Sequence, residues 1–307
     1  MTLAAVAPAA GARDRTGYER DGRVLLRSLI GPDEVATVRR EITCVLRRHG
    51  WTAGPPSPAD PGAPIPVRDG WNPLAPAAGD RAAYRDICAL ESLHRLGDHP
   101  ALTAAAAGLL GDHDVLRHPR PVARVVAPAA GSPQPPTPPH QDHVNMQGGR
   151  RAVVAWIALT ACPLRAGALE VALGSHRDGP RPHALAPGSG VLSCPVDPGD
   201  RWWSDDLEPG DAILFDALSV HRALPNRSEG FRLSVDFRYQ PRRDPVCALT
   251  LGAYGDLGWD EIYAGWSAPA GPAASAPYYW RDMDLCVEPH DPAYCRADPV
   301  RPAGPRG

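Results

Sequence analysis

Lysine is absent from this sequence, and all 32 strongly basic side chains are arginine. With 37 prolines and abundant alanine, that bias reads as the imprint of a high-GC genome, so a single arginine or proline carries little weight. No apolar stretch approaches the roughly 18 residues of a membrane span, which argues against a membrane protein. Cysteine pairs of the CxxC kind are also missing. The seven cysteines are odd in number and scattered, which argues against a disulfide framework or a thiolate zinc site and favours a reducing cytoplasm. Net charge is −3 with no basic block, so no nucleic-acid partner is expected. The Ala-rich opening MTLAAVAPAAGARDR lacks a basic start and is read as a disordered terminus over residues 1–16 rather than a signal peptide.

What is present is enough chain, 307 residues, for a core that needs no covalent staple. Residues 17–30 begin polar and end in an apolar run suited to a strand. After a Gly31-Pro32-Asp33 turn, Val35, Val38, Ile42, Val45 and Leu46 recur at helical spacing as far as Gly50. Residues 53–80 are dense in proline and glycine and read as a long loop; residues 81–111 read as a helix in two pieces, broken near Asp98-His99-Pro100. From about residue 122 the runs ARVVAP, AVVAWIAL, GALEVAL, GVLSCPV, DAILFDALSV and FRLSVDFRY alternate with turn signals, the texture of a β sandwich or barrel. No internal repeat is visible.

The segment Thr137-Pro138-Pro139-His140-Gln141-Asp142-His143 is the most informative. His-x-Asp on a strand puts His140 and Asp142 on one face, because strand side chains alternate with period two. His221 follows an apolar strand and the Pro209-Gly210-Asp211 turn, and is the natural third ligand from a distant strand. Such a facial triad leaves three positions of an octahedral iron for a bidentate oxo-acid and oxygen. His143 keeps the register open, since HQDH offers a second histidine. Arg232 lies eleven residues beyond His221, with Ser234 two further on the same strand face. A guanidinium fork beside a hydroxyl suits the distal carboxylate of 2-oxoglutarate.

Taken in order, YERDGRVLLRSLIGPDEV, TPPHQDH, AWIALTACPLRAGALEVALGSH, EPGDAILFD, VHRALPN and FRLSVDFRYQ resemble the phytanoyl-CoA dioxygenase family of iron(II)/2-oxoglutarate oxygenases over roughly residues 17–245. The resemblance implies a mainly β fold with flanking helices, built on a double-stranded β-helix (jelly roll, cupin-like). It implies Fe(II) held by His140, Asp142 and His221, and 2-oxoglutarate anchored by Arg232. One departure is Ala172-Leu173, where the family commonly has proline before the glycine at 174. Trp156 is expected to line the co-substrate pocket, Ser234 to share the carboxylate, and Gln147 with Asn145 to face substrate or co-substrate. His176 is expected to brace a turn. Arg117 and Arg124 precede the metal segment and offer charge to an anionic substrate, but against the arginine-rich background the reading is that such residues are solvated.

The implied function is dioxygenation of a small-molecule substrate with O2, by hydroxylation or related C–H chemistry, in bacterial specialised metabolism. Halogenating relatives carry a small residue where Asp142 stands, so oxygenation is expected. Two rivals remain: a jelly-roll metal hydrolase or isomerase that does not need 2-oxoglutarate, and a non-catalytic binding protein on the same barrel. Residues 17–245 form the oxygenase domain with an N-terminal helical layer, and 246–307 an irregular aromatic-rich extension of it. Tyr254, Trp259, Tyr263, Trp266 and Tyr278-Tyr279-Trp280 make residues 254–285 a candidate lid over the barrel mouth.

Overall fold

The structure, a computed structural model, describes residues 12–56, 60–69, 78–129, 136–186, 191–254, 257–267 and 277–296. Helix α1 (Ala12–Asp21) leads into strand β1 (Arg23–Leu26), and α2 (Pro32–Arg48) follows. Strand β2 (Ile65–Pro66) precedes helices α3 (Ala78–Cys88), α4 (Glu91–Leu96) and α5 (Pro100–Leu110). Next come β3 (Val115–Arg117), β4 (Val122–Val126), the short helix α6 (His143–Met146), β5 (Val153–Ala158) and β6 (Leu169–Ala172). The hairpin of β7 (Ala184–Leu185) and β8 (Leu192–Ser193) is followed by β9 (Trp202–Trp203), β10 (Ala212–Asp216), β11 (His221–Ala223) and β12 (Gly230–Pro241). Strand β13 (Val246–Cys247), helices α7 (Ala248–Leu251) and α8 (Trp259–Tyr263), and strand β14 (Val287–Glu288) complete the described strands and α-helices, and a 3-10 turn (Ser175–Asp178) follows β6.

The large antiparallel sheet runs β1-β10-β5-β12-β2, with β3 and β4 also paired along β12; β11-β6-β9 form a smaller sheet. The two sheets make the expected jelly roll. Its central strands show why the sequence ran apolar without alternation. All six residues of β5 are buried. Val153, Ala155 and Ile157 face a core shared with Ile42, Leu46 and Leu102 of the helical layer. Val154, Trp156 and Ala158 face the opposite way, into the space between the sheets with Val171, Ile213 and Phe215. A strand covered on both faces has no polar side to show.

Strand β12 behaves differently, and this difference makes the site. Phe231, Leu233, Val235, Phe237 and Tyr239 point into the helical-layer core. The intervening residues, Arg232, Ser234, Asp236 and Arg238, take the inner face, as the period of two requires.

Several sequence expectations are corrected. Residues 12–16 belong to α1, so the terminus read as disordered is helical from Ala12 onward. The stretch read as a loop over 53–80 contains β2, which pairs with the start of β12 (Gly230 with Pro66), and its residues 57–59 and 70–77 lie outside the described ones. The helical region 81–111 has a further break at Ala89-Leu90. There the buried His94 ring bonds the Cys88 carbonyl at 2.7 Å, taking up one of the carbonyls left over where α3 ends.

The lid expectation fails for the described aromatics. Trp259, Ile262 and Trp280 pack with Cys88, Leu116 and Val246, and Tyr263, Trp266, Tyr278 and Tyr279 close around them. Trp266 meets His94 edge-on at 4.9 Å, and the Tyr279 hydroxyl donates to the Arg117 carbonyl. These side chains cover α4 and β3 on the outside of the barrel and line no part of the inner cavity. The described part of the segment is a buttress; residues 255–256 and 268–276 lie outside the described ones.

The Pro209-Gly210-Asp211 turn launches β10 and fixes its register. Gly210 has φ +94°, and a Cβ there would lie 2.4 Å from the Ile30 carbonyl oxygen, which is backbone and cannot step aside. Gly210→Ala should therefore cost at least about 1–2 kcal/mol for the left-handed conformation alone. A clear fall in the urea midpoint is expected; an unchanged midpoint would show that the turn relaxes freely.

Candidate metal and co-substrate site

His140 and His221 face each other across an antiparallel bridge, each backbone N–H donating to the other's carbonyl at 3.0 and 2.9 Å. The two rings are thereby brought to a centroid distance of 4.1 Å. Both Nδ1 atoms lie on backbone carbonyls, that of Pro138 for His140 at 2.9 Å and that of Ser219 for His221 at 3.0 Å. Each Nδ1–H is then a donor, which leaves both Nε2 lone pairs free for a metal. Asp142 Oδ1 lies 3.5 Å from His140 Nε2 and 3.7 Å from His221 Nε2. Cis ligands about 2.1 Å from one ion stand ~3 Å apart, so a small inward rotation completes a coordination face. All three residues are buried, and they form the one His/Cys/Asp/Glu cluster suited to a metal among the described residues. Burial pushes the His221 pKa down to about 3, with the neighbouring His140 adding to it, which favours the neutral, ligating ring.

The triad converges, but not through the strand face that the His-x-Asp spacing predicted. His140 ends its bridge with His221, and the chain turns at once. Asp142 is in the helical region (φ −63°, ψ −28°) and stands at the head of α6. Gln141 drives the turn. Its backbone N–H donates to His183 Nε2 at 3.0 Å, and its side-chain amide donates to the Leu218 and Gly179 carbonyls and accepts from the Arg181 N–H. His143 points away, its Nε2 2.9 Å from the Tyr294 hydroxyl.

Arg238 was not anticipated. Its Nε and Nη2 both reach Asp142 Oδ2, at 3.0 and 2.8 Å, so one carboxylate oxygen faces the histidines and the other is held by a guanidinium. Burial alone would raise the Asp142 pKa; Arg238 first, then the two histidines, overturn this and hold the carboxyl well below its usual range. The signal was in the sequence. The alternation that placed Arg232 and Ser234 on one face continues for two more steps, to Asp236 and Arg238. Arg124, across from Ser234 on β4, donates from Nε to Asp236 Oδ2 at 2.9 Å.

Arg232 is 2% exposed. It donates to Ser234 Oγ at 2.6 Å and to the Gly167 carbonyl at 3.0 Å, and lies 5.4 Å from the Trp156 ring centroid. Its Nε is buried with no hydrogen-bond partner, and no carboxylate pairs with it among the described residues. A buried cation without a counter-ion is costly. Arg232, Trp156, His140 and His221 line one cavity. Arg117 instead pairs with Asp98 at 2.7 Å, away from this cavity. A larger groove of about 590 Å³ between α2 and α4–α5 holds none of the triad.

Gln147 is not brought to the site. Its amide donates to the Asp291 carbonyl at 2.9 Å and accepts from the Asp291 N–H at 2.9 Å, a closed exchange that ties the C-terminal segment to α6. Asn145 is exposed. His176 braces a turn as expected, its Nε2 3.2 Å from the Glu19 carbonyl of α1.

Residues 18–234 match the family profile described as phytanoyl-CoA dioxygenase. The 1-deoxypentalenic acid 11-beta-hydroxylase of Streptomyces exfoliatus is 31% identical over 177 residues, which is 53% of this chain and 61% of that enzyme's length. Among solved structures, the non-heme alpha ketoglutarate dependent carbocyclase SnoK from nogalamycin biosynthesis superposes with a TM-score of 0.55 at 22% identity, over 76% of this chain and 85% of its own. The epimerase SnoN, solved with Fe3+, alpha ketoglutarate and nogalamycin RO, gives 0.54 at 22% identity over 76% and 84%. At this identity the two structures establish the shared fold.

Proposed function

Because the chain belongs to the phytanoyl-CoA dioxygenase family, we propose that it is an iron(II)- and 2-oxoglutarate-dependent dioxygenase that oxidises a C–H bond of a small molecule. One observation carries this reading: a buried arginine with no counter-ion shares a cavity with a His-Asp-His face. A metal hydrolase or isomerase would need the face and not the arginine.

His140, Asp142 and His221 would hold the iron, which with 2-oxoglutarate supplies activation of O2 as the co-substrate is converted to succinate and carbon dioxide. Arg232 and Ser234 receive the distal carboxylate, which gives the stranded guanidinium its anion. Trp156 forms a wall beside them. The apolar lining from Leu169 and Phe215, backed by Val171 and Ile213, keeps bulk water from the reacting centre. A carboxylate at 142 occupies the position a halide would need.

Residues 17–245 carry this chemistry, and the described aromatics of the 246–307 extension buttress it. No helix among the described residues is long and apolar enough to cross a membrane, and all seven cysteines are unpaired, which supports a cytoplasmic enzyme. The Streptomyces hydroxylase and the nogalamycin carbocyclase support a role in bacterial specialised metabolism. The test is release of labelled carbon dioxide from 1-labelled 2-oxoglutarate by the purified chain. Release that requires Fe(II) and O2 is expected even without substrate, as slow uncoupled turnover. No release under any metal condition would overturn the reading.

A further inference from the structure

The charges on the inner face of β4 and β12 do not cancel. Arg124, Arg232 and Arg238 bring three positive charges, and Asp142 and Asp236 two negative ones. Arg222 at the rim is neutralised by Glu170 at 2.6 Å. Iron(II) and the 2-oxoglutarate dianion cancel each other, so these groups keep one unit of positive charge, to which Arg120, whose charge reaches Arg238, adds. An uncompensated charge in a site that excludes water is unfavourable, and a ligand that arrives with the opposite charge removes the penalty.

The hydrogen bonds show where that unit is available. Arg232 is committed to the co-substrate. Arg238 directs both Nε and Nη2 at the single oxygen Asp142 Oδ2. Arg124 likewise directs Nε and Nη2 at the single oxygen Asp236 Oδ2. A guanidinium fork can serve two oxygens, and here each serves one. The Nη1 atoms of both arginines have no hydrogen bond to a described residue, and neither is sealed from solvent, the side chains being 30% and 13% exposed. Arg124 reaches Asp236 from β4, and Arg238 lies two residues beyond Asp236 on the same face of β12. Asp236 Oδ1 is itself buried without a partner, so a donor on the incoming molecule has an acceptor beside the anion.

We propose that the substrate carries a single carboxylate, received by the free edges of Arg124 and Arg238, which holds the reacting carbon at a fixed reach from the metal face. The inference rests on the oxygenase reading above. The flat guanidinium edges suit a planar carboxylate.

The experiment uses the full chain loaded with Mn(II) and 2-oxoglutarate without oxygen, titrated calorimetrically with a panel of aliphatic and alicyclic monocarboxylates, each beside its own primary amide. At least one acid should bind about tenfold or more tightly than its amide, the worth of one charge-assisted contact. Arg124→Gln should erase that preference and Arg124→Lys should keep part of it. Acids and amides that bind alike, no acid that binds, or a preference that survives Arg124→Gln would each overturn the proposal. If Arg124→Gln does not fold, the wild-type comparison of acid with amide still decides. Failure of Mn(II) or 2-oxoglutarate to bind the wild-type chain would overturn the oxygenase reading itself, and this inference with it.

Discussion

His140→Ala, Asp142→Ala and His221→Ala are each expected to lower affinity for Fe(II) or Mn(II) by ~100-fold or more, beyond the 10–100-fold typical of losing an outer partner of a metal ligand. Turnover of 2-oxoglutarate should then be undetectable. The three do not fail alike. Removing either histidine empties one corner of the face and leaves the bridge between residues 140 and 221 in place, because that bridge is backbone. Asp142→Ala also strips Arg238 of its counter-ion, and breaking a buried pair from one side costs about 3–5 kcal/mol of stability. Asp142→Ala combined with Arg238→Leu should recover much of that stability and none of the metal binding. His143→Ala is the control, since His143 faces Tyr294. Metal binding lost in His143→Ala and kept in His140→Ala would show the register to be wrong.

Arg232→Leu should weaken 2-oxoglutarate by about 2–5 kcal/mol, roughly thirtyfold or more, because the distal carboxylate is left desolvated and unpaired. Arg232→Lys should restore part of this, since an ammonium supplies charge without the fork. The sign of the stability change makes the test specific. Arg232 is buried with no carboxylate partner, so the empty protein should be at least as stable in urea with leucine there as with arginine. Weak 2-oxoglutarate binding with retained stability supports the anchor role. An unchanged dissociation constant would end it, and unfolding would point to a structural role for the contacts to Ser234 and Gly167.

How much of this site was legible beforehand depended on which symmetry the chain obeys locally. Strand β12 keeps a period of two over its whole length, so Arg232 and Ser234 could be placed on one face from spacing alone. Carrying the same count on would have found Asp236 and Arg238. The His140-x-Asp142 segment does not keep that period. Its convergence comes from a bridge to His221 and from a turn whose hydrogen bonds are made by Gln141 and His183. The partners of Gln141 are 38 to 77 residues away, and nothing in the local sequence marks them. Gln147 and the aromatic segment misled for the opposite reason. An amide beside a metal ligand and a run of tryptophan and tyrosine state a capacity for contact, not its direction.

The sequence by itself determined the alternation of β12, the doubly apolar β5 and β10, the amphipathic face of α2 and the glycine that starts β10. Each follows from steric and solvation rules that act between near neighbours. Tertiary structure alone decided that Arg238 holds the second oxygen of Asp142, that Arg232 has no counter-ion among the described residues, and that Trp259, Tyr263, Trp266 and Trp280 lie outside the barrel. These depend on which distant charges and surfaces meet. Electrostatic pairing in a low-dielectric interior is set by distances across the fold, and no periodicity along the chain encodes them.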